Sequence, residues 1–437
     1  MLKLINKPVN LIKLKNTKLF STNFVKLNLF SELKGRDLIS STSSPDLESC
    51  LSKDKFGVYL GVDPTATSLH VGNLVALTTL LRFQQYGHPI VSLIGGATGY
   101  IGDPSGRSTE RTLLTKEQLD TNFKGIETQL TNFFDRAIKH IPNSSNEPQL
   151  KTVTLLNNYD WYKNMNVVEF LTKVGKWARV STMLSRSSVK SRMEQQDGIS
   201  FTEFSYQLIQ AYDFAYLLKH HGCAIQIGGN DQWGNIVSGI ELIHKKDQKS
   251  AYGITLPLLT TSSGEKFGKS AGNAIWLNSQ LTSTYDFYQF FLKAADDEEN
   301  PHLRVAQKTL AKSVTELVHG KEGLEEAELA TSILFNPKSW PTIQKSQLIS
   351  ALHPHQNLMI NLSKSDVVGK SIVDIALESK LISSKGFGKK LIQSKGLYIN
   401  GNTVQSIQQT IEESDLIQDY CILLRSGKSN YSIVVIN

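Results

Sequence analysis

Cysteine is scarce in this chain. The three residues in 437, Cys50, Cys223 and Cys421, stand far apart and form no C-x-x-C pair. That argues against a disulfide framework and against a cysteine-based zinc site, and it points to a reducing compartment. Long apolar runs are missing as well: none approaches the roughly 18 residues that a membrane span needs, so no membrane contact is expected. There is no internal repeat. Acid is absent from residues 1–31, which carry six lysines (Lys3, Lys7, Lys13, Lys15, Lys18 and Lys26) and no arginine. The formal charge of +7 therefore falls to +1 once this leader is set aside. A nearly neutral body gives no global argument for nucleic-acid binding, and any basic surface must be local. The acid-free mixture of Lys, Leu, Ile, Phe, Ser, Thr and Asn predicts a mitochondrial transit peptide over residues 1–28, although Pro8 interrupts its helical pattern.

From about residue 29 the text becomes ordinary globular sequence. Residues 56–62, 89–94, 223–227 and 254–259 read as buried strands, and residues 73–85 as a helix with Leu74, Leu77, Leu80 and Leu81 on one face. Strands alternating with helices, with polar Gly-rich loops after the strands, predict an α/β fold with a Rossmann-like, doubly wound parallel sheet. Ligands in such sheets bind beyond the carboxyl ends of the strands. The expected organisation is a catalytic domain over 29–279, a helical domain over 280–345, a linker over 346–366 and a small α+β domain over 367–437.

Two stretches carry the chemistry. Residues 59–73 read YLGVDPTATSLHVGN, a strand breaking into a polar loop with His-x-Gly at a helix start. Residues 266–270 read KFGKS, a loop with two lysines three apart. A nucleoside triphosphate needs both: donors at a helix N-terminus and cations that close over the phosphates. Independently, Tyr206, Gln210 and Asp213 fall at i, i+4 and i+7, one helical face carrying polar groups where an apolar face is the norm.

These stretches resemble the HIGH and KMSKS signatures of class I aminoacyl-tRNA synthetases. With GGATGYIGDPSGRSTER, NNYDW, GISFTEFSYQLIQAYDF and QIGGNDQWGN, the chain resembles the bacterial-type tyrosyl-tRNA synthetases, in their mitochondrial form. The resemblance is nearly continuous over residues 30–285 and patchy beyond. It implies tyrosine activation by ATP to tyrosyl-adenylate and pyrophosphate, then transfer to the 3′ end of tRNA(Tyr). No covalent enzyme intermediate is needed, so catalysis is mainly positioning and charge stabilisation.

The resemblance also implies roles. His70, Thr65, Lys266 and Lys269 would act on the ATP phosphates. Gly61, Asp63, Gly72, Asn73, Arg107, Arg111, Gly229 and Asp231 would contact ATP, with Asp231 on the ribose. Asp63 has a competing role as an Asx turn ahead of Pro64. Tyr59 and Asp213 would hydrogen-bond the substrate phenol, Asp103, Tyr206 and Gln210 its ammonium, and Gln232 lies near its carboxylate. A site built to pair a hydroxyl rejects phenylalanine because its buried polar groups would go unpaired, and this enzyme family is the standard example. Magnesium is expected with ATP, held by phosphates and water, and neither a protein metal site nor a tightly bound cofactor is expected. The C-terminal part resembles S4-like RNA-binding domains, with Lys385, Lys389, Lys390 and Lys395 facing RNA phosphates. Homodimerisation and the mitochondrial matrix complete the implied picture.

The chain departs from the family pattern in places. Asn73 replaces the second histidine of the signature, and Ala76 a hydroxyl residue. The helical stretch usual after Phe291 is shortened, and SSKGFGKKLI lacks the usual arginines. Tryptophanyl specificity is the rival within the class; Tyr59 and Asp213 argue against it. A splicing or RNA-binding protein on a synthetase scaffold is the rival outside it.

Overall fold

The computed structural model describes residues 28–107, 109–140, 152–260, 272–294, 304–335, 359–427 and 430–437. The expected transit peptide and the lysines of KFGKS lie outside the described residues. The chain divides into two compact units, Met1–Asn278 with Phe291–Ser313, and Ser279–Phe290 with Val314–Asn437.

The first unit is built on a six-stranded sheet. Its strands are β1 (Ser41–Thr42), β2 (Gly57–Val62), β3 (Ile90–Ile94), β4 (Thr154–Asn157), β5 (Cys223–Gly229) and β6 (Tyr252–Leu256), in the order β1-β6-β5-β2-β3-β4. All pairings are parallel except that of the short edge strand β1 with β6. The first four residues of β2, all of β3 and most of β5 are buried, so they read as mostly apolar runs rather than alternating ones. Strand β2 sits between β3, the next strand in the chain, and β5, which comes much later. The chain thus winds outward in both directions from β2, and the crevice at that switch point is where such sheets place ligands.

Helix α1 (Val71–Gln85) follows β2 and buries Leu74, Leu77, Leu80 and Leu81, the face expected from their spacing. Helix α2 (Phe201–His221) leads into β5 through Gly222 in the left-handed conformation (φ 67°), where glycine carries no Cβ penalty. Helix α3 (Trp233–Asp247) leaves β5 after one 3₁₀ turn and packs along α2.

In the second unit, a helix over Thr284–Leu292 and the helical run Val305–Phe335, broken at Gly320 (φ 79°, ψ 178°), contribute residues up to Phe290 and from Val314. The sheet here has the order β7-β11-β10-β8-β9: β7 (Met359–Leu362), β8 (Leu397–Ile399), β9 (Asn402–Thr403), β10 (Cys421–Ser426) and β11 (Asn430–Ile436). Strand β7 pairs in parallel with β11, so the sheet reaches back into the stretch read from sequence as a linker. Four residues whose burial does not alternate cleanly leave little pattern to find. One face of the sheet packs on α4 (Ile372–Glu378) and α5 (Lys385–Gln393) through Ile375, Ile392, Ile422 and Val434. The other packs on Ala330, Ile333 and Leu334 through Cys421, Leu423 and Ile433. Lys389, Lys390 and Lys395 are exposed, with the half-exposed ring of Phe387 beside them in sequence. Lys385 is paired with Asp374 at 2.6 Å.

Candidate active site

A cleft of ≈ 390 Å³ opens at the carboxyl ends of β2, β5 and β6 and reaches the start of α1. Of the residues singled out from sequence, Tyr59, Gly61, Asp63, Thr65, His70, Gly72, Asn73, Asp103, Arg111, Tyr206, Gln210, Asp213, Gly229, Asp231 and Gln232 line it. Arg107 does not, although it lies close enough to Asp103 and Glu203 to feel their charge.

At one end the signature stretch builds the start of α1. His70 is its N-cap: Nδ1 accepts from the Gly72 backbone N–H at 3.1 Å, and Asn73 Oδ1 accepts from the His70 N–H at 3.1 Å. Burial lowers the His70 pKa, so the ring is neutral near pH 7. With Nδ1 accepting, its hydrogen is on Nε2, which offers a donor beside the positive end of the α1 dipole. Asn73 therefore does structural work that a second histidine is not needed for. The chain that follows KFGKS is anchored here as well: Val71 N–H donates to Ile275 O at 2.9 Å, and the His70 ring stands edge-on to Trp276 at 6.1 Å. A Cβ added to Gly61 would meet only Leu93 Cδ2 at 3.9 Å, so its bare backbone faces open cleft.

At the other end lie buried carboxylates. Asp213 Oδ1 accepts from Trp161 Nε1–H at 2.9 Å and Oδ2 from Asn158 Nδ2 at 3.0 Å. Burial nonetheless pushes its pKa up to about 7, against the lowering effect of those donors and of Tyr162. Tyr59 is 1% exposed, packs edge-on to Phe214 at 5.2 Å, and its hydroxyl has no hydrogen-bond partner. Its pKa is raised by burial first and then by the Asp213 charge. An orphaned buried hydroxyl beside a buried acceptor carboxylate is an expensive arrangement for an empty cleft, and it is relieved by a ligand hydroxyl.

Asp63 does not form the Asx turn considered from sequence. Its Oδ1 accepts from Thr98 Oγ1 at 2.6 Å and its Oδ2 from the Tyr206 hydroxyl at 2.8 Å. Gly95 makes room, since a Cβ there would stand 2.0 Å from Asp63 Oδ1. Burial, with a smaller contribution from Asp103, raises the Asp63 pKa to about 6. The Tyr206 proton is thus spent on Asp63, which leaves the phenol oxygen as an acceptor. Asp103 Oδ2 accepts from Gln232 Nε2 at 2.6 Å, and Gln232 Oε1 accepts from Gln210 Nε2 at 3.3 Å. Asp63 and Asp103 put two carboxylates near one another, a field that favours a cationic ligand group.

Sequence reasoning missed Asn158, Trp161 and Gln226. Asn158 and Trp161 follow the short strand β4, and Asn158 also links Asp213 to Asp63 by donating to Thr98 Oγ1 at 3.0 Å. Gln226 lies opposite Tyr59 in the β2–β5 register, lines the cleft and has an unpartnered Oε1. A glutamine inside the apolar strand CAIQIGG was the available signal. Asp63, Asp103, Asp213 and Asp231 each already accept from a protein donor. Among the described residues, no group of three or more His, Cys, Asp or Glu side chains could hold a metal ion.

Comparison with known proteins agrees in both units. Residues 51–304 match the family described as tRNA synthetases class I (W and Y), and residues 359–434 match the tyrosine–tRNA ligase SYY-like C-terminal domain. A tyrosine–tRNA ligase of Roseiflexus castenholzii is 39% identical over 431 residues, covering 93% of this chain and 99% of that protein. The mitochondrial tyrosine–tRNA ligase of Drosophila melanogaster is 38% identical, covering 91% of each. Among solved structures, a C-terminally truncated mitochondrial tyrosyl-tRNA synthetase of Aspergillus nidulans superposes with a TM-score of 0.65 at 32% identity, covering 70% of this chain and 94% of that one.

Proposed function

The chain belongs to the tyrosine–tRNA ligases, within the class I tRNA synthetases, and from that premise we propose that it charges tRNA(Tyr) for translation in the mitochondrial matrix. The observation that carries the substrate assignment is the buried Tyr59 hydroxyl without a partner next to Asp213. A substrate phenol would donate to the Asp213 carboxylate and accept from Tyr59. The ammonium would be held by Asp103, the Tyr206 oxygen and Gln210, with Gln232 near the carboxylate. The tyrosine carboxylate then attacks the α-phosphate of ATP, and pyrophosphate leaves. His70 Nε2–H, Thr65 and the α1 N-terminus would stabilise charge on the phosphates, with Lys266, Lys269, Arg107 and Arg111 as cations. Asp231 would take the ribose, while Gly61 and Gly229 admit the adenosine. Magnesium would arrive on the ATP phosphates, held there by phosphate oxygens and water.

The acid-free leader and the mitochondrial relatives support import. Exposed apolar side chains at Val167, Val168, Leu171, Val180 and Phe201 support a homodimer. The exposed lysines of α5 with Phe387, and Lys395 just beyond it, support contact with tRNA phosphates and an unstacked base.

The test is tyrosine-dependent ATP–pyrophosphate exchange by the purified chain, followed by tRNA charging. Exchange with tyrosine, and its loss in Lys269→Ala, is the expected result. No exchange in the wild type, or full exchange in Lys269→Ala, would refute the mechanism. A fluorescent fusion that fails to reach mitochondria would refute the location.

A further inference from the structure

Arg192 and Glu203 form an ion pair with both side chains only 2% exposed, Nη2 to Oε2 at 2.9 Å. A pair this deep pays heavily for desolvation, and on stability grounds alone apolar residues would serve as well. Nor is Glu203 needed to cap its helix. Ser200 Oγ already accepts from the Glu203 N–H at 3.3 Å, and a capping-box glutamate would turn back to the N-cap residue. Glu203 reaches the other way. Its Oε1 accepts from the Arg111 backbone N–H at 3.1 Å. Arg111 Nε in turn donates to the Asp103 carbonyl at 2.9 Å. Gly102, at φ 84°, permits this turn, since a Cβ there would stand 2.9 Å from Arg111 Cδ. Arg192 is itself fixed by donating to Gly198 O at 3.1 Å.

We infer that Glu203, with Arg192 as its fixed counter-ion, is a positioning residue that ties Arg111, and through it the Asp103 backbone, to α2 and so sets the Asp103 carboxylate against Gln232, Asn235 and the Ser105 N–H. The inference rests on the tyrosine-activation reading above. It predicts that Glu203 governs recognition of the substrate ammonium while leaving recognition of the phenol alone. Phenol recognition stands on Asp213, three helical turns along α2 and braced separately by Asn158 and Trp161.

The experiment is pyrophosphate exchange with tyrosine, with 3-(4-hydroxyphenyl)propionate, which lacks the ammonium, as competitive inhibitor. In Glu203→Gln the KM for tyrosine should rise on the order of tenfold, while the inhibition constant of the des-amino acid stays within about twofold, so preference for the ammonium collapses. Because Glu203→Gln leaves Arg192 buried without its partner, the double variant Glu203→Gln with Arg192→Gln supplies a charge-balanced second test and should show the same split. A parallel change in both constants, or no change in either variant once folded, would overturn the positioning role. Absence of tyrosine-dependent exchange in the wild type would overturn the functional reading beneath it.

Discussion

Replacing Tyr59 by phenylalanine should move stability and substrate affinity in opposite directions. In the free protein the Tyr59 hydroxyl is buried and unpaired. A buried polar group left unsatisfied costs about 1–3 kcal/mol, so Tyr59→Phe should leave the first unit at least as stable and up to about 3 kcal/mol more stable. The ring and its edge-on contact with Phe214 are kept, so no cavity offsets the gain. With tyrosine bound, the same hydroxyl would donate to the substrate phenol. Losing one neutral hydrogen bond is worth about 1 kcal/mol, roughly a fivefold rise in the KM for tyrosine. Discrimination against phenylalanine should narrow by the same factor, since part of what rejects phenylalanine is the unpaired Tyr59 hydroxyl. Urea denaturation reads the first effect, and pyrophosphate exchange with each amino acid reads the second. A stability loss above about 1 kcal/mol would mean that the hydroxyl is paired within the fold. An unchanged KM would mean that the phenol of the substrate does not lie there.

Further outcomes follow from the same geometry. Asp213 has a folded pKa raised to about 7, so the folded protein holds this proton more tightly than the unfolded chain does. Its contribution is therefore fully present below the ordinary carboxylate range and is lost as pH rises through 7. Asp213→Asn should abolish this part of the pH dependence of stability between about pH 4 and 7, while raising the KM for tyrosine by more than Tyr59→Phe does. His88 runs the other way. Burial lowers its pKa to about 4, so stability is lost as pH falls from about 6.5 toward 4, a loss that His88→Gln should reduce in acid denaturation. Gly61→Ala should fold normally, because its Cβ meets nothing closer than 3.9 Å, yet raise the KM for ATP. Asn73→Ala removes the acceptor for the His70 N–H and should cost about 1 kcal/mol in thermal or urea unfolding, together with weaker ATP binding.

What could be read in the sequence was whatever a local rule governs. Tyr206, Gln210 and Asp213 share a helix, so their spacing alone put them on one face. The apolar runs of β2, β3 and β5 identified a parallel sheet, and the sheet placed the loops. What escaped depends on pairing across long separations. Asn158 and Trp161 lie more than fifty residues from Asp213 and follow a four-residue strand with little pattern of its own. Glu203 reads as an ordinary helix-start acid until Arg192 and Arg111 converge on it. Strand β7 is defined by its partner β11 rather than by its own text. Asp63 is the clearest redirection, since proximity to Pro64 suggested a turn, whereas Tyr206, 143 residues away, claims its carboxylate.

The cap formed by His70 and Asn73 bears on how the site responds to acid. An imidazole at position 73 would place a second group titrating near pH 6.5 at the mouth of the cleft, and the start of α1 would then change its hydrogen bonding within the physiological range. The asparagine amide does not titrate, and burial keeps the His70 ring from protonating until the medium is more acidic than usual for histidine. The start of α1 thereby keeps its hydrogen bonding through the neutral range. Near neutrality the cleft carboxylates that titrate are Asp213 and Asp63, with pKa values of about 7 and about 6.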